Sequence, residues 1–158
     1  SYHDFPHFGA VLHCGVTFDR TAAGATARGC GDPAFWAMMD PETFLALATP
    51  LPVPRESLGW LDRHVSGGGA IAPAELAVRL LPNGPAAVSR HEGRHRMTLI
   101  RRIAPGRKVP VRISVIGQPF EEVTPEVVSA IRGGMRAQRG GQMVNGPLFG
   151  EAEPTLVA

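Results

Sequence analysis

Two cysteines, Cys14 and Cys30, leave this chain without the means for a disulfide framework or a four-cysteine zinc site. They read as buried free thiols, with one bridge between them as the alternative. No run approaches the roughly 18 apolar residues of a membrane-spanning helix, so no membrane partner is expected. The first residues, Ser1-Tyr2-His3-Asp4, lack the basic and apolar regions of a signal peptide. A formal charge of +2 is too small to mark a general nucleic-acid binder, which confines any basic patch to one locality. What the chain does have is 15 prolines and 19 glycines, implying short elements and long irregular connections. At 158 residues and 44% hydrophobic it is one domain able to bury roughly two-thirds of its unfolded surface. These bounds predict a loop-rich α/β protein.

Along the chain, 1–38 is the least legible part. Ala10 to Phe18 can make a strand, whereas Thr21 to Gly31 is small, polar and glycine-rich and predicts a loop. His3, His7 and His13 lie near Asp4, but their spacing fits no zinc pattern and they read as solvated or capping histidines. Asp40-Pro41-Glu42 opens a helix with an N-cap, a proline at the first position and an acid in the first turn. Leu51 to Pro54 is extended, and Leu58, Leu61 and Val65 then mark a helix from Arg55, with Trp60 alongside and Gly67-Gly68-Gly69 ending it. Glu75 to Leu81 alternates as a half-buried strand, and Val109 to Val115 does so more clearly. Thr124-Pro125-Glu126 opens a last helix; Arg132, Arg136 and Arg139 form a basic stripe, either a solvated helix face or a phosphate contact. From 140 onward the pattern predicts an extended tail.

The most chemically loaded stretch is Arg90-His91-Glu92-Gly93-Arg94-His95-Arg96. Pro85 and the Ala86-Ala87-Val88 run place a strand before it, while Met97, Leu99, Ile100 and Ile103 recur at helical spacing after it, up to Pro105-Gly106. Strand, glycine turn and basic helix start make an anion-binding corner, because free N–H groups and the positive dipole end of a helix attract phosphate. Taken literally, His91 to His95 also spells H-E-x-x-H, in which two histidines one helical turn apart hold zinc and the glutamate activates water. That zinc metallopeptidase alternative needs both histidines inside one helix, and here Gly93 stands between them with Arg94 beside the would-be metal.

The corner resembles the signature of the ParB and sulfiredoxin superfamily: a strand, an acidic or polar residue, glycine, two variable residues and an arginine opening a helix. The likeness extends over 40–116. Asp40 to Ala48, Arg55 to Val65, Gly69-Ala70-Ile71-Ala72-Pro73 with Leu76-Ala77-Val78, the corner itself, and Lys108-Val109-Pro110-Val111-Arg112-Ile113 follow in the family's order. The fold implied is α/β, a small mixed sheet with flanking helices. It would comprise an N-terminal extension at 1–39, a ParB/sulfiredoxin-like core at 40–116, and a C-terminal helix and extended tail at 117–158.

Carried over residue by residue, the resemblance makes Gly93, Arg94, His95 and Arg96 the phosphate-binding positions. Arg94 stands where sulfiredoxins place their reactive cysteine, which argues against that activity, and no helix-turn-helix DNA reader follows residue 116. Other branches are nucleases, ATPases and a nucleotide-dependent kinase, and some are toxin domains of bacterial polymorphic toxins or phage proteins. The function implied is hydrolysis of a phosphoester bond, nuclease first and NTP hydrolysis or phosphotransfer second, with a non-catalytic CTP- or DNA-binding module as alternative. In the catalytic version Glu92 holds Mg²⁺ or positions water, His95 hydrogen-bonds the phosphate or acts as acid, and His91 is the candidate base. Glu92 and Arg96 are equally well placed for an i,i+4 ion pair of purely structural meaning. The expected ligands are nucleic acid or a nucleotide such as ATP or CTP, and an immunity protein would be the partner of a toxin domain. The expected site of action is the cytoplasm, with delivery inside a larger protein suggested by the missing initial Met.

Overall fold

The computed structural model describes residues 16–18, 34–48, 53–81, 86–116, 125–132, 134–137, 143–144 and 156–157. Cys14, Cys30, the three N-terminal histidines, the 21–31 segment and Arg139 lie outside them. The described residues form a mixed α/β fold. Its strands are β1 (Ala34–Met39), β2 (Ala74–Arg79), β3 (Ala86–Glu92), β4 (Val109–Val115), β5 (Met135–Arg136), β6 (Met143–Val144) and β7 (Leu156–Val157). Its helices are α1 (Pro41–Leu47), α2 (Arg55–Ser66), α3 (Arg94–Ile103) and α4 (Pro125–Arg132).

The strands lie in the order β6-β5-β3-β2-β4-β1-β7. β2 pairs antiparallel with β3 on one side and parallel with β4 on the other, and β1 is antiparallel to β4 with Phe35 opposite Ile113. The chain leaves β3, forms α3 and re-enters the sheet as β4 beyond β2, so α3 must cross β2. It does so with Met97, Leu99 and Ile100 buried, and α1 and α2 pack against it. This crossover sets the N-terminus of α3 over the start of β2.

The local signals are those of the sequence. Asp40 caps α1, its Oδ1 accepting from the Thr43 N–H at 3.0 Å while Pro41 occupies the first helical position. Leu61 and Val65 are the buried side of α2. β2 is the exception: alternation predicts one wet face, yet Ala74 to Val78 are all buried and only Arg79 is exposed. As an inner strand between β3 and β4, β2 is covered on both faces, so Glu75 and Ala77 are enclosed despite their polar and small side chains. The same holds for β4, where Pro110 and Ser114 are buried.

The sheet also draws on residues outside 40–116. All six residues of β1 are buried, Val16 and Phe18 belong to the core cluster, and the Ile71 N–H donates to the Thr17 carbonyl at 3.0 Å. Downstream, Ile131 and Met135 join the same core and β5 pairs parallel with β3. The stripe imagined for Arg132, Arg136 and Arg139 does not run along one helix, because α4 ends at Arg132 and Arg136 is an exposed residue of β5. Gly134, at φ 148°, stands between the helix and β5.

Candidate functional site at the start of helix α3

Seven consecutive residues build the corner by changing conformation twice. Arg90, His91 and Glu92 are the last residues of β3, Gly93 turns the chain, and Arg94, His95 and Arg96 form the first turn of α3. Gly93 has φ +110° and ψ 19°, outside the range most side chains adopt. A Cβ there would also lie 2.8 Å from the Ala74 Cβ and 2.9 Å from its Cα. Glycine is thus required twice, once by the turn and once because the corner rests directly on the start of β2.

The helix that follows begins without a cap. No side chain accepts from its first N–H groups, and no acidic residue lies in its first turn. The first intrahelical bond in its ladder is from the Met97 N–H to the Gly93 carbonyl at 2.9 Å. The preceding amides of Arg94, His95 and Arg96 therefore depend on water or a ligand for acceptors. α1 offers the contrast, with Asp40 and Glu42 supplying the negative charge a helix start favours. α3 instead presents two arginines and a histidine, an arrangement whose electrostatics an external anion would complete.

The arginines are held loosely enough to serve one. Arg96 donates from Nη1 to Glu92 Oε1 at 3.4 Å and from Nη2 to the Pro73 carbonyl at 3.3 Å, both long for a charged donor. Its Nε, and Nη1 of Arg94, are buried without a hydrogen-bond partner. Buried guanidinium N–H groups without acceptors are costly, and a phosphate oxygen relieves that cost. The Glu92–Arg96 pair anticipated from sequence does form, but with Glu92 54% exposed it adds little stability. The remaining arginines of α3 are employed elsewhere: Arg101 reaches Glu42 of α1 at 3.4 Å and Arg102 reaches Asp62 of α2 at 3.1 Å. One half of the helix ties the fold together, and the other faces the corner.

His91 is half-buried. Burial, then the positive charge of Arg94, lowers its pKa below the ordinary 6.5, and Glu92 opposes the shift in part. Burial and the Arg94 charge both favour the neutral imidazole, the form a general base requires. His91 belongs to a strand and His95 to a helix, so the single helical turn that H-E-x-x-H zinc chemistry asks for is not what this segment forms.

Comparison of the chain with protein-family models, with curated proteins and with solved structures returns no match. The case for function therefore rests on the geometry of the site itself.

Two features of that geometry escape the sequence. Glu75 faces Glu92 across the β2–β3 ladder, a cross-strand neighbour separated from it by 17 positions of chain. Among the described residues, however, no three His, Cys, Asp or Glu side chains come together as a metal-binding group. The second feature is a cleft of about 660 Å³ beside the corner, lined by Glu56, Ser57, Trp60, Leu61 and His64 of α2, by Ala70, Ile71 and Ala72, and by His95 and Arg96. The Gly69–Pro73 segment forms one wall because it leads into β2, against which Gly93 is packed. Trp60 is the signal that α2 offers for this cleft, since it falls outside the Leu58–Leu61–Val65 stripe and is 61% exposed.

Proposed function

We propose that this chain is a phosphate-binding α/β domain of ParB/sulfiredoxin-like character that holds a nucleotide or nucleic-acid phosphate at Gly93, Arg94, His95 and Arg96 and hydrolyses a phosphoester bond. The observation that carries this reading is the uncapped start of α3, whose first turn holds three potential cations and where two guanidinium N–H groups are buried without acceptors. Gly93 brings the backbone close to the ligand, Arg94 and Arg96 neutralise it, and the free amides of the first turn bond its oxygens. His95, in the same turn and among the lining residues of the cleft, is the acid that donates a proton to a departing oxygen in this reading. His91, with its neutral form favoured, is the base that activates a water, and the Glu92 carboxylate orients that water or its cation.

Mg²⁺ fits this donor set in one way. Because Mg²⁺ is bound through one or two carboxylates together with substrate phosphates, exposed Glu92 would hold it on a phosphate already in the corner, where it would neutralise charge developing on the reacting oxygens. Nuclease activity is the leading form of the proposal, with NTP hydrolysis or phosphotransfer after it; a non-catalytic nucleotide or DNA clamp uses the same residues without turnover. Cleavage of DNA and release of phosphate from ATP and CTP, measured with and without Mg²⁺, separate these. Wild type turns over at least one substrate with Mg²⁺, and Glu92→Ala lowers turnover about 100-fold or more while retaining binding. Wild type that binds nucleotide and turns nothing over is a binding module, and the enzymatic half of the proposal is then wrong.

A further inference from the structure

The cleft beside the corner contains an aromatic surface that the core does not use. Trp60 is 61% exposed, in a chain whose other tryptophan, Trp36, is 1% exposed. Its indole is nonetheless fixed. It stacks on the His64 imidazole with ring centroids 5.4 Å apart and planes 7° from parallel. His64 is fixed in turn, its Nε2 lying 2.9 Å from the Ala70 carbonyl; a carbonyl only accepts, so Nε2 is the donor. The packing leaves no room for a side chain at Gly69, where a Cβ would overlap the His64 ring. A large ring held open to solvent by a braced second ring is a ready-made stacking platform, and the same cleft is lined by Arg96 and His95.

We infer that Trp60 is a nucleobase-stacking residue, so that the ligand is a phosphate bearing an unpaired base. This rests on the phosphate-corner reading and adds to it the part of the ligand that is not phosphate. A cleft of about 660 Å³ lies within the 300–1,000 Å³ typical of small-molecule sites, and its lining combines apolar Leu61 and Ile71 with the Arg96 guanidinium. That pairing of charge and π surface matches a nucleotide along its length. The base must present its face to the indole, which it can do in a mononucleotide or a single strand but not inside a duplex, where both faces are already stacked. Glu56 and Ser57, on the adjoining turn of α2, offer an acceptor and a hydroxyl to the sugar or base edge.

The test is calorimetric titration of the full chain with ATP, CTP, inorganic tripolyphosphate, a short single-stranded oligonucleotide and its duplex. Wild type is expected to bind at least one nucleotide more tightly than tripolyphosphate, and single strand more tightly than duplex. Trp60→Ala should weaken nucleotide binding about 10-fold while changing tripolyphosphate binding less than 2-fold, and Trp60→Phe, which keeps a ring, should stay within about 3-fold of wild type. An equal loss for nucleotide and tripolyphosphate, or no loss for either, overturns the platform. So does duplex binding as tight as single-strand binding and indifferent to Trp60. If wild type binds tripolyphosphate but no better with a base attached, the corner stands and the platform falls; if it binds neither tripolyphosphate nor nucleotide, both fall together. The mononucleotide and oligonucleotide arms separate the two sources of an unpaired base.

Discussion

His91 shows how a single residue couples the end of β3 to the first turn of α3. Burial and Arg94 hold its folded pKa below 6.5, the value for the unfolded chain. A depressed folded pKa means that the unfolded chain binds the proton more readily, so the stability owed to neutral His91 is fully present above about pH 6.5. It is lost as the pH falls from there through the folded value. An anion in the corner reverses the electrostatic part by compensating Arg94. Titrating the His91 ring by NMR should therefore give a midpoint below 6.5 in the free protein and a higher one with phosphate present. A midpoint at or above 6.5 without ligand would contradict the burial of His91 and the nearness of the Arg94 charge. The carboxylate of Glu92 is of another kind: it is exposed, weakly paired and available, as a group meeting a cation or a water must be.

At the scale of the element, α3 depends on one glycine for its direction. Gly93 combines φ +110° with contact against Ala74, so Gly93→Ala should destabilise the protein by about 2–4 kcal/mol, read as a lowered urea midpoint at constant slope. Stability within about 0.5 kcal/mol of wild type would mean that the corner does not lie on β2 as described. The elements themselves were largely legible in the residues. Asp40-Pro41 announced α1, the Leu58–Leu61–Val65 spacing announced α2, and Pro105-Gly106 marked where α3 ends, since capping and periodicity act within a few residues. β1 was not legible: Ala34-Phe35-Trp36-Ala37-Met38-Met39 is apolar throughout, and a run of that length has neither strand nor helix period. Its place between β4 and β7 is decided by pairing partners far away in sequence. The site divides in the same way: Gly93 to Arg96 are readable as a motif and Trp60 and His64 are an i,i+4 pair within α2, while the Glu75–Glu92 pairing and the approach of the Gly69–Pro73 segment to Arg96 exist only once distant parts of the chain have met.

On the scale of the whole molecule, one core unites segments that the sequence separates. Val16, Phe18 and β1 from the start of the chain, and Ile131 and Met135 from its later part, pack with the residues of 40–116 rather than beside them. Phe18 is 1% exposed and bridges to Ile71, itself a lining residue of the cleft. Described residues of this protein include no helix long and apolar enough to cross a membrane. The crossover of α3 brings the Gly93–Arg96 corner beside a cleft whose other lining residues come from α2 and from Ala70, Ile71 and Ala72. The most direct measurement of the central claim is a ¹⁵N-resolved NMR titration with a nucleotide. The amides of Arg94, His95 and Arg96, which have no acceptor within α3, should show the largest shifts, moving together along one binding isotherm, and Arg96→Ala should weaken that isotherm about 10-fold or more. Shifts centred on other residues, or none at millimolar nucleotide, would contradict the assignment of this corner as the phosphate site.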